Sequence, residues 1–175
     1  TLALKMYGTT GGTEQYNGSS WTTVANQAIA RDWATGGGSN DSSGATGVMF
    51  GGKTSSGSPT FQSATEGGTA LSEEYNGSSW TEGDNLNTPR QYVAGAGTQT
   101  AGLAAGGYPA TGATEEYNGT SWASQPNSMG TGRAFGGMAG AQTSAVYAGG
   151  NNPSTAVTNI VEEYNGTSWS AQNDL

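Results

Sequence analysis

The sequence contains neither cysteine nor histidine. Without cysteine there is no disulfide framework, no thiolate metal site and no thiol nucleophile. Without histidine the chain lacks the commonest general base and the commonest ligand of transition metals. These two absences remove the usual nucleophile–base pairs, so we expect a protein that is not an enzyme, with no catalytic residues, no cofactor and no bound metal.

Charged residues are also few, at 10% of the chain, and only five of them are basic, which leaves a net charge of −8. Binding to nucleic acid requires clustered positive charge, and so does adsorption to anionic lipid. No apolar run approaches the roughly 18 residues that a membrane helix needs. We therefore expect no nucleic-acid partner and no membrane insertion.

Large aliphatic residues are scarce, whereas 31 of the 175 residues are glycine. Such a composition is typical of disordered chains, but a repeated motif contradicts that interpretation. One eight-residue phrase, with the form Glu-Glu/Gln-Tyr-Asn-Gly-Ser/Thr-Ser-Trp, occupies residues 14–21, 73–80, 115–122 and 162–169. A disordered chain has no reason to keep Tyr and Trp at a fixed spacing, so the sequence predicts stacked copies of one supersecondary unit.

The repeat unit is predicted to be a small antiparallel sheet. The tryptophans recur at intervals of roughly 40 to 60 residues, which suits a four-stranded propeller blade, and no segment has sustained helical spacing. In the third repeat we predict strands over 92–97, 103–107 and 114–117, and a fourth from residue 121. Asn118-Gly119 is predicted to form a type I′ turn, with positive φ at both residues.

Small and aromatic residues are segregated within each repeat. The first two strands are rich in Gly and Ala, and glycine normally weakens a strand unless another backbone approaches closely. We therefore expect these strands to be innermost and the tryptophan strands to be outermost.

An arginine precedes the small-residue strands in each complete repeat. Neighbouring residues of a strand point to opposite faces, so the two glutamates of a repeat cannot act together as an acid–base pair. We expect one of them to pair with a repeat arginine and the other to face solvent. The residues that define the repeat are Tyr16, Trp21, Arg31, Tyr75, Trp80, Arg90, Tyr117, Trp122, Arg133, Tyr164 and Trp169.

The order arginine, small-residue strand, double glycine, tyrosine and tryptophan resembles the kelch repeat over nearly the whole chain. The resemblance implies an all-β fold, a β-propeller of four-stranded antiparallel kelch-like blades. Its boundaries would be a partial blade at 1–21 (second and third strands and the start of the fourth), blades at 22–80, 81–122 and 123–169, and the start of a further connection at 170–175. We expect a single propeller domain that is part of a longer chain, or a ring that other chains complete.

The short spacing between Tyr and Trp is closest to kelch-like arrays that resemble bacteriophage virion proteins of tail fibres and capsid surfaces. That resemblance implies a structural or adhesive module at the virion surface, outside the cell. Its partners would be other virion proteins or copies of itself, with a host-surface glycan as a further candidate. Two alternatives stay open: a carbohydrate-binding, lectin-like propeller of a secreted protein, and a fragment of an enzyme propeller such as a glycosidase.

Recognition is expected on the loops that differ between repeats, residues 53–72, 108–114 and 151–161, because binding residues concentrate on loops held by a rigid framework. Two aromatic residues of these loops, Phe61 and Tyr108, could stack on sugar rings or cap the edges of blades. The candidate recognition residues are Lys53, Phe61, Tyr108, Asn151 and Asn152.

Overall fold

A computed structural model describes residues 3–6, 10–41, 44–54, 68–154 and 156–175. Throughout these ranges the regular structure consists of β-strands, which confirms the all-β prediction. This part of the chain contains no helix that is long and apolar enough to cross a membrane. The strands are β1 (Ala3–Met6), β2 (Thr13–Tyr16), β3 (Trp21–Thr23), β4 (Arg31–Asp32), β5 (Thr35–Asp41), β6 (Gly44–Phe50), β7 (Lys53–Thr54), β8 (Ser72–Tyr75), β9 (Trp80–Glu82), β10 (Ala94–Thr98), β11 (Ala101–Ala105), β12 (Thr114–Tyr117), β13 (Trp122–Ser124), β14 (Gly137–Ala141), β15 (Ser144–Ala148), β16 (Val161–Tyr164) and β17 (Trp169–Ala171).

These strands form four antiparallel sheets in chain order. The first sheet has three strands, in the order β1-β2-β3. The second (β5-β6-β8-β9), third (β10-β11-β12-β13) and fourth (β14-β15-β16-β17) have four strands each, and a two-stranded ribbon pairs β4 with β7. Successive four-stranded antiparallel sheets of this kind are consistent with a propeller-like fold.

The small-residue strands of neighbouring sheets lie against one another. β10 contacts β5 on one side and β14 on the other, whereas the extensive contacts of the tryptophan strands are with the third strand of their own sheet. A Cβ atom added at Gly37 of β5 would lie 2.7 Å from the carbonyl oxygen of Gly97 in β10. At Gly37 the backbones of the two sheets are therefore too close for a larger side chain.

The predicted strand limits require two corrections. The first strand of the third repeat begins at Ala94 and excludes Tyr92, because Tyr92 has a φ of 53° and leaves the extended conformation. The second strand begins at Ala101, two residues earlier than predicted, and ends at Ala105, since Gly106 and Gly107 both have positive φ. The first hairpin of the second sheet is longer than those of the next two sheets. Its strands β5 and β6 have seven residues each, whereas the corresponding strands of the third and fourth sheets have five.

The Asn-Gly segment joins the third and fourth strands, but the predicted type I′ turn is wrong. Gly119 has a φ of 88°, whereas the residues with positive φ do not include Asn118. Tyr117 pairs with Trp122 across a four-residue loop, and the Asn118 side-chain oxygen accepts the backbone N–H groups of Thr120 and Ser121. The asparagine therefore stabilises the loop through hydrogen bonds of its side chain, and its own backbone does not adopt the left-handed conformation.

Each hydrophobic core lies between two consecutive sheets. Val48 and Phe50 of the second sheet pack with Tyr117 and Trp122 of the third, and Leu103 of the third packs with Tyr164 and Trp169 of the fourth. The tyrosine and tryptophan of each repeat also contact each other, with ring centroids 5.0 to 5.3 Å apart. The aromatic residues thus fill the space between sheets, as their position in the repeat predicts.

The expected pairing of repeat arginines with glutamates is confirmed. The ion pairs are Arg31–Glu73 and Arg90–Glu115, each at 2.8 Å, and Arg133–Glu162 at 2.5 Å. All six side chains are almost fully buried. Burial lowers the pKa of the Arg31 and Arg90 guanidinium groups, and the partner carboxylate opposes that shift.

Each ion pair also forms hydrogen bonds with backbone groups of the segments around it. Arg90 donates to the carbonyl oxygens of Gly106 and Ala113, at 2.8 and 2.9 Å. Glu115 accepts the backbone N–H groups of Asn87 and Thr88, which lie in the segment that enters the third sheet from the second. The pair therefore fixes the incoming connection to the third strand of the sheet.

The second glutamate of the repeat does not simply face solvent, as we had expected. The Tyr117 hydroxyl of the third sheet donates to Glu74 of the second, and the Tyr164 hydroxyl of the fourth donates to Glu116 of the third at 2.8 Å. Only the expectation for Glu163, which is exposed, holds. The second glutamate of the second and third repeats thus accepts a hydrogen bond from the next sheet.

We predict that Arg90→Met lowers the free energy of unfolding by about 3–5 kcal/mol, because it leaves the Glu115 carboxylate buried without a counter-charge. Chemical denaturation measures this value. The matched control is Lys5→Met at the partly exposed Lys5–Glu14 pair, whose atoms are 3.9 Å apart and whose loss should cost about 1 kcal/mol or less. Equal effects of the two substitutions would contradict the role given to the buried pair.

Alkaline pH should destabilise the contacts between sheets. Burial, followed by the hydrogen bond to Glu74 or Glu116, raises the pKa of Tyr117 and Tyr164 above the ordinary value of about 10. A group whose folded pKa is raised contributes stability that is complete below its unfolded pKa and is lost as the pH rises through the folded value. The unfolding temperature should therefore fall as the pH rises above about 10.

The double variant Tyr117→Phe/Tyr164→Phe should show a smaller alkaline decline, because both hydroxyls are gone, and a lower stability at neutral pH. Each lost hydrogen bond to a carboxylate should cost about 1.5–3 kcal/mol. Tyr16→Phe, outside these two contacts, serves as the control. An alkaline decline that is unchanged in the double variant would refute this assignment.

Candidate functional site: an aromatic row beside the variable loops

Three aromatic residues occupy the same place in successive repeats. Trp33, Tyr92 and Phe135 each lie two residues after the repeat arginine and shortly before the first strand of a sheet. Their rings form a row, with centroid distances of 4.8 Å between Trp33 and Tyr92 and 3.9 Å between Tyr92 and Phe135. Because the arginines are buried and the first strands adjoin one another, the framework determines where each ring lies.

All three aromatic residues have a left-handed backbone conformation. Their φ angles are 57°, 53° and 63°, which bulky side chains rarely adopt. The Tyr92 N–H donates to the Trp33 carbonyl oxygen and the Phe135 N–H donates to that of Tyr92, at 3.2 and 3.3 Å. Strained conformations of this kind cost about 1–3 kcal/mol each and cluster at binding sites, so the row is the strongest indication of function in the described residues.

The row is accessible to a ligand at its end. Phe135 is 52% exposed, whereas Trp33 and Tyr92 are half-buried. Burial raises the pKa of the Tyr92 hydroxyl, and the nearby charge of Asp32 raises it further. Tyr92 is therefore a neutral hydrogen-bonding group at physiological pH.

The first residue of each predicted recognition loop lies beside this row. The residue after each double glycine pairs with the residue just before each aromatic ring: Lys53 with Asp32, Tyr108 with Gln91, and Asn151 with Ala134. The Lys53 ammonium group also lies 5.9 Å from the centre of the Trp33 ring. The structure thus brings Lys53, Tyr108 and Asn151 to one surface, together with Asn152, which follows Asn151 in the same loop. Phe61 lies outside the described residues.

An open depression of about 220 Å³ lies between the third and fourth repeats at the exposed end of the row. Phe135, Tyr108, Asn151 and Asn152 are among the residues that line it. The side-chain oxygen of Asn152 already accepts the backbone N–H groups of Ser154 and Ala156, which fixes its loop. The other residues that line the depression are Pro109, Ala110, Ala134 and Pro153.

The chemistry of this surface suits binding. Ring faces and prolines offer apolar contact, while amide and phenol groups offer hydrogen bonds, which is the usual composition of a ligand site. The residues that line the depression include no carboxylate. Within the described ranges no group of three or more acidic side chains is arranged to hold a metal ion.

Trp33, Tyr92 and Phe135 are not among the residues for which the sequence pattern predicts a role in recognition. The signal was present as an aromatic residue two positions after each repeat arginine. It is obscured because the strand predicted over residues 92–97 includes Tyr92. Positive φ at a bulky residue cannot be deduced from its side chain.

No protein-family model matches this chain, and no curated protein matches it in sequence. Among solved structures, the chain is similar to one titled "Structure of YjhT", with a TM-score of 0.67 and 13% sequence identity. The similarity covers 93% of this chain and 52% of that one, so the chain spans about half the length of the structure it matches. At this identity the likeness concerns the fold, and it supports an all-β, propeller-like arrangement.

Proposed function

We propose that this chain is a non-enzymatic binding module whose kelch-like propeller presents the aromatic row and its flanking loops to a carbohydrate. The observation that carries the proposal is the row itself: three bulky residues in the left-handed conformation, at equivalent repeat positions, beside loops that differ in sequence. A framework with no ligand has no evident use for conformations that cost stability at three equivalent sites.

A carbohydrate is the ligand class that best fits the depression. The apolar face of a sugar ring packs on an aromatic ring, and its hydroxyl groups exchange hydrogen bonds with amides and phenols. Phe135 supplies the ring, while Asn151, Asn152 and Tyr108 supply the polar groups. Aromatic side chains also contribute a large contact area for little loss of conformational freedom.

We further propose that the module belongs to a phage virion and acts in adhesion to a host-surface glycan. The short spacing between Tyr and Trp in the kelch-like repeat supports this, as does the net charge of −8, which suits a particle exterior better than a compartment filled with nucleic acid. The loops that differ between repeats would then adapt one framework to different receptors.

Substitution of the exposed ring tests the binding role. A glycan array identifies a ligand, and titration calorimetry with the soluble, monovalent oligosaccharide measures its affinity. Phe135→Ala should weaken binding at least about tenfold, which corresponds to about 1.4 kcal/mol. Trp21→Ala is the matched control, because Trp21 is an aromatic residue of similar exposure, 46%, in the first sheet. Equal losses in the two variants, or turnover of a glycoside by the intact chain, would refute the proposal.

A second variant separates binding from stability. Phe135→Asn introduces a residue that tolerates positive φ. The substitution should therefore relieve strain of about 1–3 kcal/mol and lose a ring contact of about 0.5–1.5 kcal/mol. We expect an unchanged or higher free energy of unfolding together with loss of carbohydrate binding. A marked loss of stability would show that the ring is needed for folding.

A further inference from the structure

The depression beside the aromatic row lies between two repeats, and both of them contribute to its lining. Tyr108 belongs to the third repeat, whereas Asn151 and Asn152 belong to the fourth. Backbone hydrogen bonds hold both segments in place. The Tyr108 N–H donates to the Gln91 carbonyl oxygen and the Asn151 N–H donates to that of Ala134, each at 2.7 Å. The framework therefore determines where these lining groups lie.

The side chain of Asn152 has a fixed orientation. Its Oδ1 atom accepts the backbone N–H groups of Ser154 and Ala156, at 3.0 and 3.1 Å. The Asn152 N–H also donates to the Ala156 carbonyl oxygen at 3.0 Å, which closes the loop. Because two N–H donors converge on one atom of the amide, that atom is the oxygen and the other is the NH2 group. Both lone pairs of the oxygen are used, so the Asn152 side chain can offer a ligand only hydrogen-bond donors.

The lining of the depression is uncharged. The described residues that form it are all tyrosine, phenylalanine, proline, alanine or asparagine. Arg133, which precedes Ala134 in the sequence, is buried and is already paired with Glu162. On a chain with a net charge of −8, an anionic ligand would lose its hydration here without gaining a counter-charge. An uncharged ligand avoids that cost.

We propose that the depression selects an uncharged saccharide residue, and that the Asn152 amide orients this residue by donating a hydrogen bond to one of its oxygen atoms. The acceptor is a hydroxyl or an acetamido oxygen. This selectivity rests on the proposed carbohydrate-binding function, to which it adds the charge class of the ligand and the group that orients it. A ligand without an acceptor at that place is rejected, because it leaves the amide donor without a partner.

The charge class is tested on a glycan array that holds neutral glycans together with glycans that carry sialic acid, uronic acid, sulfate or phosphate. The strongest signals of the unaltered chain should come from neutral glycans. For the best neutral oligosaccharide, titration calorimetry then measures the affinity in solution. Its closest anionic relative on the array should bind at least about tenfold more weakly.

Asn152→Asp tests the donor without changing the shape of the side chain. The aspartate keeps an oxygen for the Ser154 and Ala156 N–H groups, so the unfolding temperature should be retained. It replaces the amide donor by a charged acceptor, so the affinity for the neutral oligosaccharide should fall at least about tenfold. Asn118→Asp is the matched control, because the Asn118 oxygen also accepts two backbone N–H groups but the residue does not line the depression. Its affinity should be unchanged.

Deoxy analogues of the oligosaccharide identify the acceptor. Each analogue lacks a single oxygen, and one of them should bind the unaltered chain at least about tenfold more weakly. The same analogue should show a much smaller further loss with Asn152→Asp, since both changes remove one hydrogen bond.

The outcomes distinguish this selectivity from the binding function itself. If the unaltered chain binds no glycan, both proposals fail. If Phe135→Ala weakens binding but acidic glycans bind most tightly, or if Asn152→Asp retains full affinity, the binding function stands and the selectivity is overturned. A marked fall in the unfolding temperature of Asn152→Asp, beyond that of Asn118→Asp, would contradict the orientation of the amide and overturn the selectivity as well.

Discussion

The buried pairing of arginine with the first glutamate of the second, third and fourth repeats is the interaction on which the rest of the structure depends. Arg90 contacts Glu115 and two carbonyl oxygens, while Glu115 also accepts backbone N–H groups of the incoming connection. An ion pair in such surroundings adds little net stability over an apolar pair, but it is costly to break. Its consequence is a fixed path for irregular backbone that would otherwise be buried with unsatisfied polar groups.

Two adjacent glutamates perform different tasks because neighbouring strand residues point to opposite faces. Glu115 faces its own arginine within the sheet, whereas Glu116 faces the next sheet and accepts the Tyr164 hydroxyl. The first contact between sheets shows what happens when this pattern changes. Gln15 occupies the position of the second glutamate there, and the buried Tyr75 hydroxyl has no hydrogen-bond partner among the described residues.

The same framework explains how strain can persist in the aromatic row. Each strained residue lies between a buried arginine and a small-residue strand, and the double-glycine turns bring the loop residues against it. In these turns the second glycine donates to the carbonyl oxygen of the next arginine, as Gly107 does to Arg133 at 2.9 Å. A rigid surrounding structure can hold a residue in an unfavourable conformation, which a flexible loop could not do.

The sequence by itself determined the all-β class, the four copies of the repeat and the Arg–Glu pairing, because these depend on residue type at a regular spacing. The role of the variable loops in recognition stays a prediction, and Phe61 lies outside the described residues. Tertiary structure alone decided the rest. The second glutamate contacts a tyrosine 43 or 48 residues away in the next sheet, and no local pattern encodes that distance. Trp33, Tyr92 and Phe135 acquire their backbone conformation from the turns and strands around them, and they become a site only because the first strands lie side by side.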